Sequence, residues 1–200
     1  YVGSGENQGT AQAKSETDIW GLSGTVSYEI SDSLSFKSIT AWRDLESEFA
    51  RDGDHSPQRI SQFHDDLDQQ QFTQELQLLG SGNNLNWILG AYYFSEDGDN
   101  ENTLDFTVSN FRSGGEFDNE AMAAFAQVTW DFTEQWHLTV GGRYTDETKK
   151  FHPDQIIYQN YYAGISQVLP PGHPLAALDA PFLQAGERIL PDLEKKIDID

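Results

Sequence analysis

The sequence has no cysteine, and only 12 lysines and arginines stand against 33 aspartates and glutamates. The first shortage removes disulfide frameworks and thiolate metal sites, and fits an envelope or a cytosolic location equally well. The second leaves a net charge of -21, which repels a phosphate backbone and offers no basic stripe, so nucleic-acid binding is excluded. No run reaches the roughly 18 consecutive apolar residues that a membrane-spanning helix needs, so a helical membrane protein is excluded too. The mean hydropathy of -0.60 decides little, because strands of a membrane barrel hide their lipid face in alternate positions and score as polar. Near the start, Tyr1 to Lys14 is rich in Gly, Ser and Gln, with no charged segment leading into an apolar stretch. For an exported protein the expectation is then a missing N-terminus. The other end, Lys195 to Asp200, alternates without a terminator and reads as a strand cut off as it begins.

What the chain does have is alternation. In 136–145 the even positions carry Trp136, Leu138, Val140, Gly142 and Tyr144, and the odd ones His137, Thr139, Gly141, Arg143 and Thr145. This is the period of two that marks a half-buried strand. The same pattern predicts strands at 19–30, 72–79, 85–94 and 121–130, and 34–49 is rich in strand formers without a clear phase. Connections alternate in length: 31–33, 80–84 and 131–135 are tight turns, whereas 50–71, 95–120 and 146–194 read as long loops. The last of these is broken by Pro170, Pro171 and Pro174, with a helical turn expected within 176–185. Short and long connections fall at opposite ends of the strands. That asymmetry belongs to transmembrane antiparallel barrels, with short periplasmic turns and longer extracellular loops. Trp20, Tyr28, Trp42, Trp87, Tyr93, Trp130, Trp136 and Tyr144 fall near strand ends, mostly in the apolar phase, where they are candidates for two interfacial girdles.

Five segments then resemble the TonB-dependent outer-membrane receptors of the siderophore or iron-complex type, in the order that family uses. They are Leu34-Ser35-Phe36-Lys37-Ser38-Ile39-Thr40-Ala41-Trp42-Arg43, Phe72-Thr73-Gln74-Glu75-Leu76-Gln77-Leu78, and Trp87-Ile88-Leu89-Gly90-Ala91-Tyr92-Tyr93-Phe94. Ala124-Phe125-Ala126-Gln127-Val128-Thr129-Trp130 and Leu138-Thr139-Val140-Gly141-Gly142-Arg143-Tyr144 complete the set. The resemblance spans roughly 18–150. It implies an all-β chain that supplies about six strands and the start of a seventh to a plugged barrel of about 22. The family's plug domain and TonB-contacting box have no counterpart in 1–200. By resemblance, the whole protein would sit in the bacterial outer membrane among its lipid, and take up a scarce ligand such as a ferric siderophore. Its partner would be the TonB coupling protein, acting through the missing plug.

Glu29, Glu75, Gln77, Gln127, His137 and Arg143 lie in the polar phase of their strands and are expected to face the barrel interior, where the family's plug packs. Two acidic clusters, Asp52-Gly53-Asp54-His55 and Glu96-Asp97-Gly98-Asp99-Asn100-Glu101, have the oxygen-rich chemistry that Ca²⁺ prefers, but neither has EF-hand spacing. Solvated acidic loops are the ordinary reading of such runs. A second class of function stays open on them: a soluble β-sandwich or lectin-like module that binds Ca²⁺ through these loops. His55, His64 and His137 fall on different elements without metal-ligand spacing, so no metal is assigned. Ser23, Ser27 and Ser38 have no adjacent histidine motif and the carboxylates form no defined pair, so neither catalysis nor a cofactor is expected.

Overall fold

The computed structural model describes residues 8–179 and 184–188, and the backbone of 195–199. Period-two segments joined by tight turns pair with their chain neighbours, and the result is one antiparallel sheet in sequence order. Its strands are β1 (Lys14–Ser31), β2 (Leu34–Asp52), β3 (Ser61–Gly82), β4 (Leu85–Phe106), β5 (Ser109–Asp131), β6 (His137–Asn160) and β7 (Lys195–Ile199). Two short 3₁₀ turns, Ile165–Gln167 and Pro174–Asp179, follow β6. The second overlaps the helical turn expected within 176–185, of which 180–183 lie outside the described residues. Among the described residues no helix is long and apolar enough to cross a membrane.

The turns at one end match the expectation of tight connections. Asn83 takes a left-handed φ of 49° between Gly82 and Leu85, a conformation that asparagine tolerates better than most residues. Between β5 and β6 the Thr133 hydroxyl accepts from the backbone N–H groups of Gln135 (3.3 Å) and Trp136 (3.1 Å). At the other end the expectation is corrected. The strands thought to stop near 49, 94 and 145 continue to Asp52, Phe106 and Asn160, so the loop expected at 50–71 shrinks to 53–60 and that at 95–120 to Thr107 and Val108. The third loop, expected over 146–194, gives its first fifteen residues (146 to 160) to β6. Local propensity opposes strand formation in these acidic, Gly- and Asn-rich stretches, but pairing with an already aligned neighbour outweighs it. Side-chain amides complete the ladder: Asn119 Nδ2 donates to Glu96 at 2.7 Å, Gln69 donates to the same carboxylate, and Asn100 Nδ2 donates to Asp65 at 3.2 Å.

Among the described residues, register slips only between Glu29 and Ser31 and between Asn110 and Phe111. It also sets the phase of 34–49 that periodicity left open, since Trp42 opposes Leu22 and Phe72, and Phe36 opposes Tyr28 and Leu78. The sheet has almost no interior. Among the described residues only Ala123 and Ile157 are buried apolar side chains, and the accessible surface is 13592 Å². A globular chain of 22.5 kDa would expose only about 9,500 Å². This sheet therefore folds as a wall, with neither face covered by a second layer, and the two-sheet packing of a sandwich is not what the described residues form.

Candidate functional site

Directly opposed residues of an antiparallel pair share a face, so the nearly unbroken register traces both faces across six strands. One, here the tryptophan face, carries Trp20, Tyr28, Trp42, Trp87, Tyr93, Trp130 and Tyr144 in a single phase, and Trp136 precedes β6 in that phase. Between them lie Leu22, Val26, Leu76, Leu78, Leu89, Val128, Leu138 and Val140. Leu22 is 74% exposed and Val140 63%, values that no water-facing sheet would keep without a partner. Trp20 packs on Trp42 at 4.3 Å between ring centroids, and Phe72 on Tyr93 at 6.3 Å, which forms one aromatic row; Trp130 and Phe132 at 5.4 Å belong to another near the tight turns. From Trp20 to Tyr28 the chain takes eight steps (28 − 20), ~26 Å along the strand.

The opposite face of this belt holds all six interior candidates. Glu75 accepts from Gln77 Nε2, and the Arg143 guanidinium stands 5.3 Å from the Tyr92 ring centre. Glu29 and Gln127 come together with Ser35, Ser81, Asn86 and Thr129 around a hollow of about 340 Å³ beside the turns. His137 Nδ1 lies 2.6 Å from Asp131 Oδ1 at the end of β6. The Phe125 ring reaches over Gly90, so close that a Cβ there would sit 2.1 Å from its tip.

Beyond Trp42, Tyr93 and Tyr144 the two faces exchange character. The tryptophan face becomes acidic, with Asp44, Glu46, Glu48 and Asp52 from β2, Asp66 and Asp68 from β3, and Asp97, Asp99, Glu101 and Asp105 from β4. β5 adds Glu116, Asp118 and Glu120, and β6 adds Asp146 and Asp154. Carboxylates stand directly opposite one another, Asp68 to Asp99 and Asp97 to Asp118, which is unfavourable unless water screens them. A hollow of about 580 Å³ opens among them. Arg112 relieves part of the repulsion by bridging Glu101 (3.1 Å) and Asp154. The opposite face meanwhile gathers Phe49, Phe63, Phe94, Phe106, Phe111 and Phe117. Phe106 packs on Phe63 edge-on and stacks on Phe111, each at 5.8 Å, and Arg51 stands 4.9 Å above Phe63. Sequence reading missed this cluster because Phe63, Phe106, Phe111 and Phe117 come from two segments read as loop, 50–71 and 95–120, and only register brings them together.

Two aspartates tie the far ends of the strands, and a third joins the turns that follow β6. The buried Asp52 carboxylate accepts from the backbone N–H groups of Thr10 (2.7 Å), His55 (2.6 Å) and Asp54 (3.0 Å). These bonds, that of Thr10 foremost, hold its pKa down to about 2. Asp105, also buried, accepts from Arg59 Nε at 2.9 Å and from the Tyr161 hydroxyl at 2.7 Å, and that hydrogen bond raises the tyrosine's pKa. Asp179 accepts from the Ser166 hydroxyl and from Gly164 N–H at 2.7 Å, and the serine contributes most to its lowered pKa.

Neither acidic cluster forms a Ca²⁺ loop. Asp52 spends its oxygens on amide protons, and 96–101 is extended strand that throws Asp97, Asp99 and Glu101 to one face and Glu96 to the other. Glu48, His64 and Asp66 do converge, with ligand atoms within 4.8 Å, but the Lys14 ammonium already neutralises Glu48, and His64 Nε2 lies 3.0 Å from Asp66.

Comparison with known proteins agrees with this architecture. The family described as TonB dependent receptor-like, beta-barrel, matches residues 1–171. Among solved structures, the chain is similar to the ferric yersiniabactin uptake receptor FyuA from Yersinia pestis, with a TM-score of 0.59 and 20% identity. The match covers 80% of this chain and 26% of that receptor, so the chain spans about a quarter of the length of the protein it resembles.

Proposed function

The chain belongs to the TonB-dependent receptor β-barrel family, and from that membership we propose that it forms part of the wall of a bacterial outer-membrane receptor for energy-coupled uptake. The observation that carries this reading is the belt of the tryptophan face. Its apolar side chains run between two aromatic rows, which Trp20 and Tyr28 mark at either end of a nine-residue stretch of β1, and a tilted transmembrane barrel strand needs about 9 to 11 residues to cross between its aromatic girdles. On this reading the tryptophan face meets outer-membrane lipid. Glu29, Glu75, Gln77, Gln127, His137 and Arg143 face the lumen, the tight turns are periplasmic, and the acidic extension stands outside the cell. Energy reaches the barrel from a TonB coupling protein through a plug that these residues do not include.

The cargo we propose is a ferric siderophore or another iron complex, by analogy with the receptor from Yersinia pestis. The test is growth of a strain lacking the gene on a panel of iron chelates, vitamins and glycans, with uptake of labelled substrate measured beside it. Loss of growth on one or a few iron chelates, restored by the full-length gene, is the expected outcome. A defect confined to a vitamin or glycan would replace the cargo, and undiminished uptake across the panel would remove the receptor role.

A further inference from the structure

On the acidic side of the extension, one group of carboxylates differs from the rest because a histidine joins it. Asp66 stands directly opposite Glu48, and His64, two residues away on β3, stands opposite the small Ala50, so all three side chains leave the same face of two paired strands. Spacing along the chain left His64 without metal partners; register supplies two. The ligand atoms of Glu48, His64 and Asp66 all lie within 4.8 Å of one another, and among the described residues this is the only point where three such donors converge. A tetrahedral zinc ion, with bonds of roughly 2.1 Å, sets its ligands about 3.4 Å apart. His64 Nε2 and Asp66 Oδ2 already stand at 3.0 Å, so Glu48 alone has to close in, by a change of rotamer.

A proton and an ammonium hold these donors in the free chain, and both can leave. The contact between His64 and Asp66 is an ion pair only while the imidazole carries a proton, and a metal takes that proton's place. Lys14, which bonds Glu48, has a second acceptor in Glu16 at 3.1 Å on its own strand. All three donors are partly exposed, so an ion can enter and water can complete its shell.

We propose that Glu48, His64 and Asp66 bind a divalent cation of borderline softness, zinc foremost, and that the ion clips β2 to β3 just below the 53–60 loop. One imidazole beside two carboxylates suits zinc, whereas calcium and magnesium prefer oxygen throughout. Glu48 and Asp66 are like charges directly opposed, which costs stability, and a cation between them turns that repulsion into a bond across the strands. Glu48 lies near the end of β2 and His64 near the start of β3, so the clip closes the base of the loop. The site stands opposite the face proposed to line the lumen, so the ion belongs to the wall and is not the cargo.

The test takes the full-length protein in neutral detergent, stripped with a chelator that is then removed, and titrates it calorimetrically with zinc chloride, with calcium chloride in parallel. Zinc is expected to bind, calcium is expected not to displace it, and one zinc site is expected to be lost in His64→Ala and in Glu48→Gln. Asp97→Asn combined with Asp118→Asn lowers the charge of the same face without touching a ligand, and is expected to keep that site. Zinc is also expected to slow trypsin cleavage after Arg59 in the unaltered protein and not in His64→Ala. Zinc stoichiometry unchanged in His64→Ala overturns the proposal. So does equal loss in the Asp97 and Asp118 variant, which would make the face a diffuse counter-ion surface. Zinc that binds but leaves cleavage at Arg59 unchanged overturns the clip. The altered side chains are all partly or fully exposed, and heat-modifiable gel migration shows that each variant compared is folded.

Discussion

The lower and upper halves of the same strands obey opposite rules. Along β4, on one face, Leu85, Trp87, Leu89, Ala91 and Tyr93 give way after Ser95 to Asp97, Asp99, Glu101 and Asp105, with no break in register and no turn between them. The reverse face is mixed throughout, with Ile88 and Tyr92 beside Asn86 and Gly90 below, and Glu96, Asn100 and Asn102 between Phe94 and the Leu104 and Phe106 pair above. A sheet surrounded by one solvent throughout would have no cause to invert. One that passes from hydrocarbon into water does, because a side chain that satisfies one surrounding fails in the other. Hydrogen-bonded backbone continues through the boundary, and the proposed change of medium is recorded in the side chains alone.

The sharpest way to break this contrast is to move a charge between the halves. Val140→Arg in the full-length receptor, on the tryptophan face at mid-belt, is expected to destabilise the barrel by roughly 2–4 kcal/mol. Asp99→Arg, on the same face in the extension, is expected to be neutral or mildly stabilising because it stands between Asp68 and Glu116. Thr139→Arg, one residue from Val140 on the other face, is tolerated. Folding into lipid vesicles followed by heat-modifiable gel migration reads all three. Equal tolerance of Val140→Arg and Thr139→Arg would mean that β6 never meets lipid, and failure of Asp99→Arg would erase the boundary.

A smaller effect is expected where the upper half relies on bonds rather than burial. Asp105→Ala deprives Arg59 and Tyr161 of their acceptor at the far ends of three strands. Because Arg59 is 65% exposed and can turn to water, the cost is held to roughly 1–2 kcal/mol. It should be local. Limited proteolysis is expected to cut near 53–60 and 161–164 sooner than in the unaltered receptor, while the urea midpoint of the barrel stays in place. A shifted midpoint would show that the two halves do not melt independently.

Whereas 72–79, 85–94, 121–130 and 136–145 could be recognised from the residues themselves, their continuations could not. On the proposed reading, alternation in the belt is written in the side chains because the lipid on one face accepts only apolar groups. In the extension, on the same reading, water lies on both sides, so Glu96 to Glu101 carries no such constraint and reads as loop, although it is strand. The eight belt aromatics and the six polar-phase residues were legible for the same reason: phase is a local property. The Phe63, Phe106 and Phe111 cluster and the aspartate ties were not, since each depends on which strands become neighbours.

The smallest expected effect concerns acid. Asp52 has a folded pKa of about 2, below the ordinary carboxylate value, so its contribution is fully present above about pH 4 and is lost as the pH falls through 2. Hydrogen exchange at the Thr10, Ala11 and His55 amides is expected to lose protection over that window, while Val128 and Val140 at mid-belt keep theirs. Simultaneous loss at both places would mean that acid opens the wall as a whole.

The nearly unbroken register has a mechanical consequence. Strands of 22 to 24 residues, such as β3 to β6, are bonded to their neighbours along nearly their whole length. Ladder bonds run across the strands, so a force along the strand axis loads many of them in parallel, and they must yield together. A force across the sheet would open them one after another. If energy coupling tugs on something held inside such a barrel, the pull runs largely lengthwise. The wall then meets it in shear, its stiff direction, and the load is spent on what moves within.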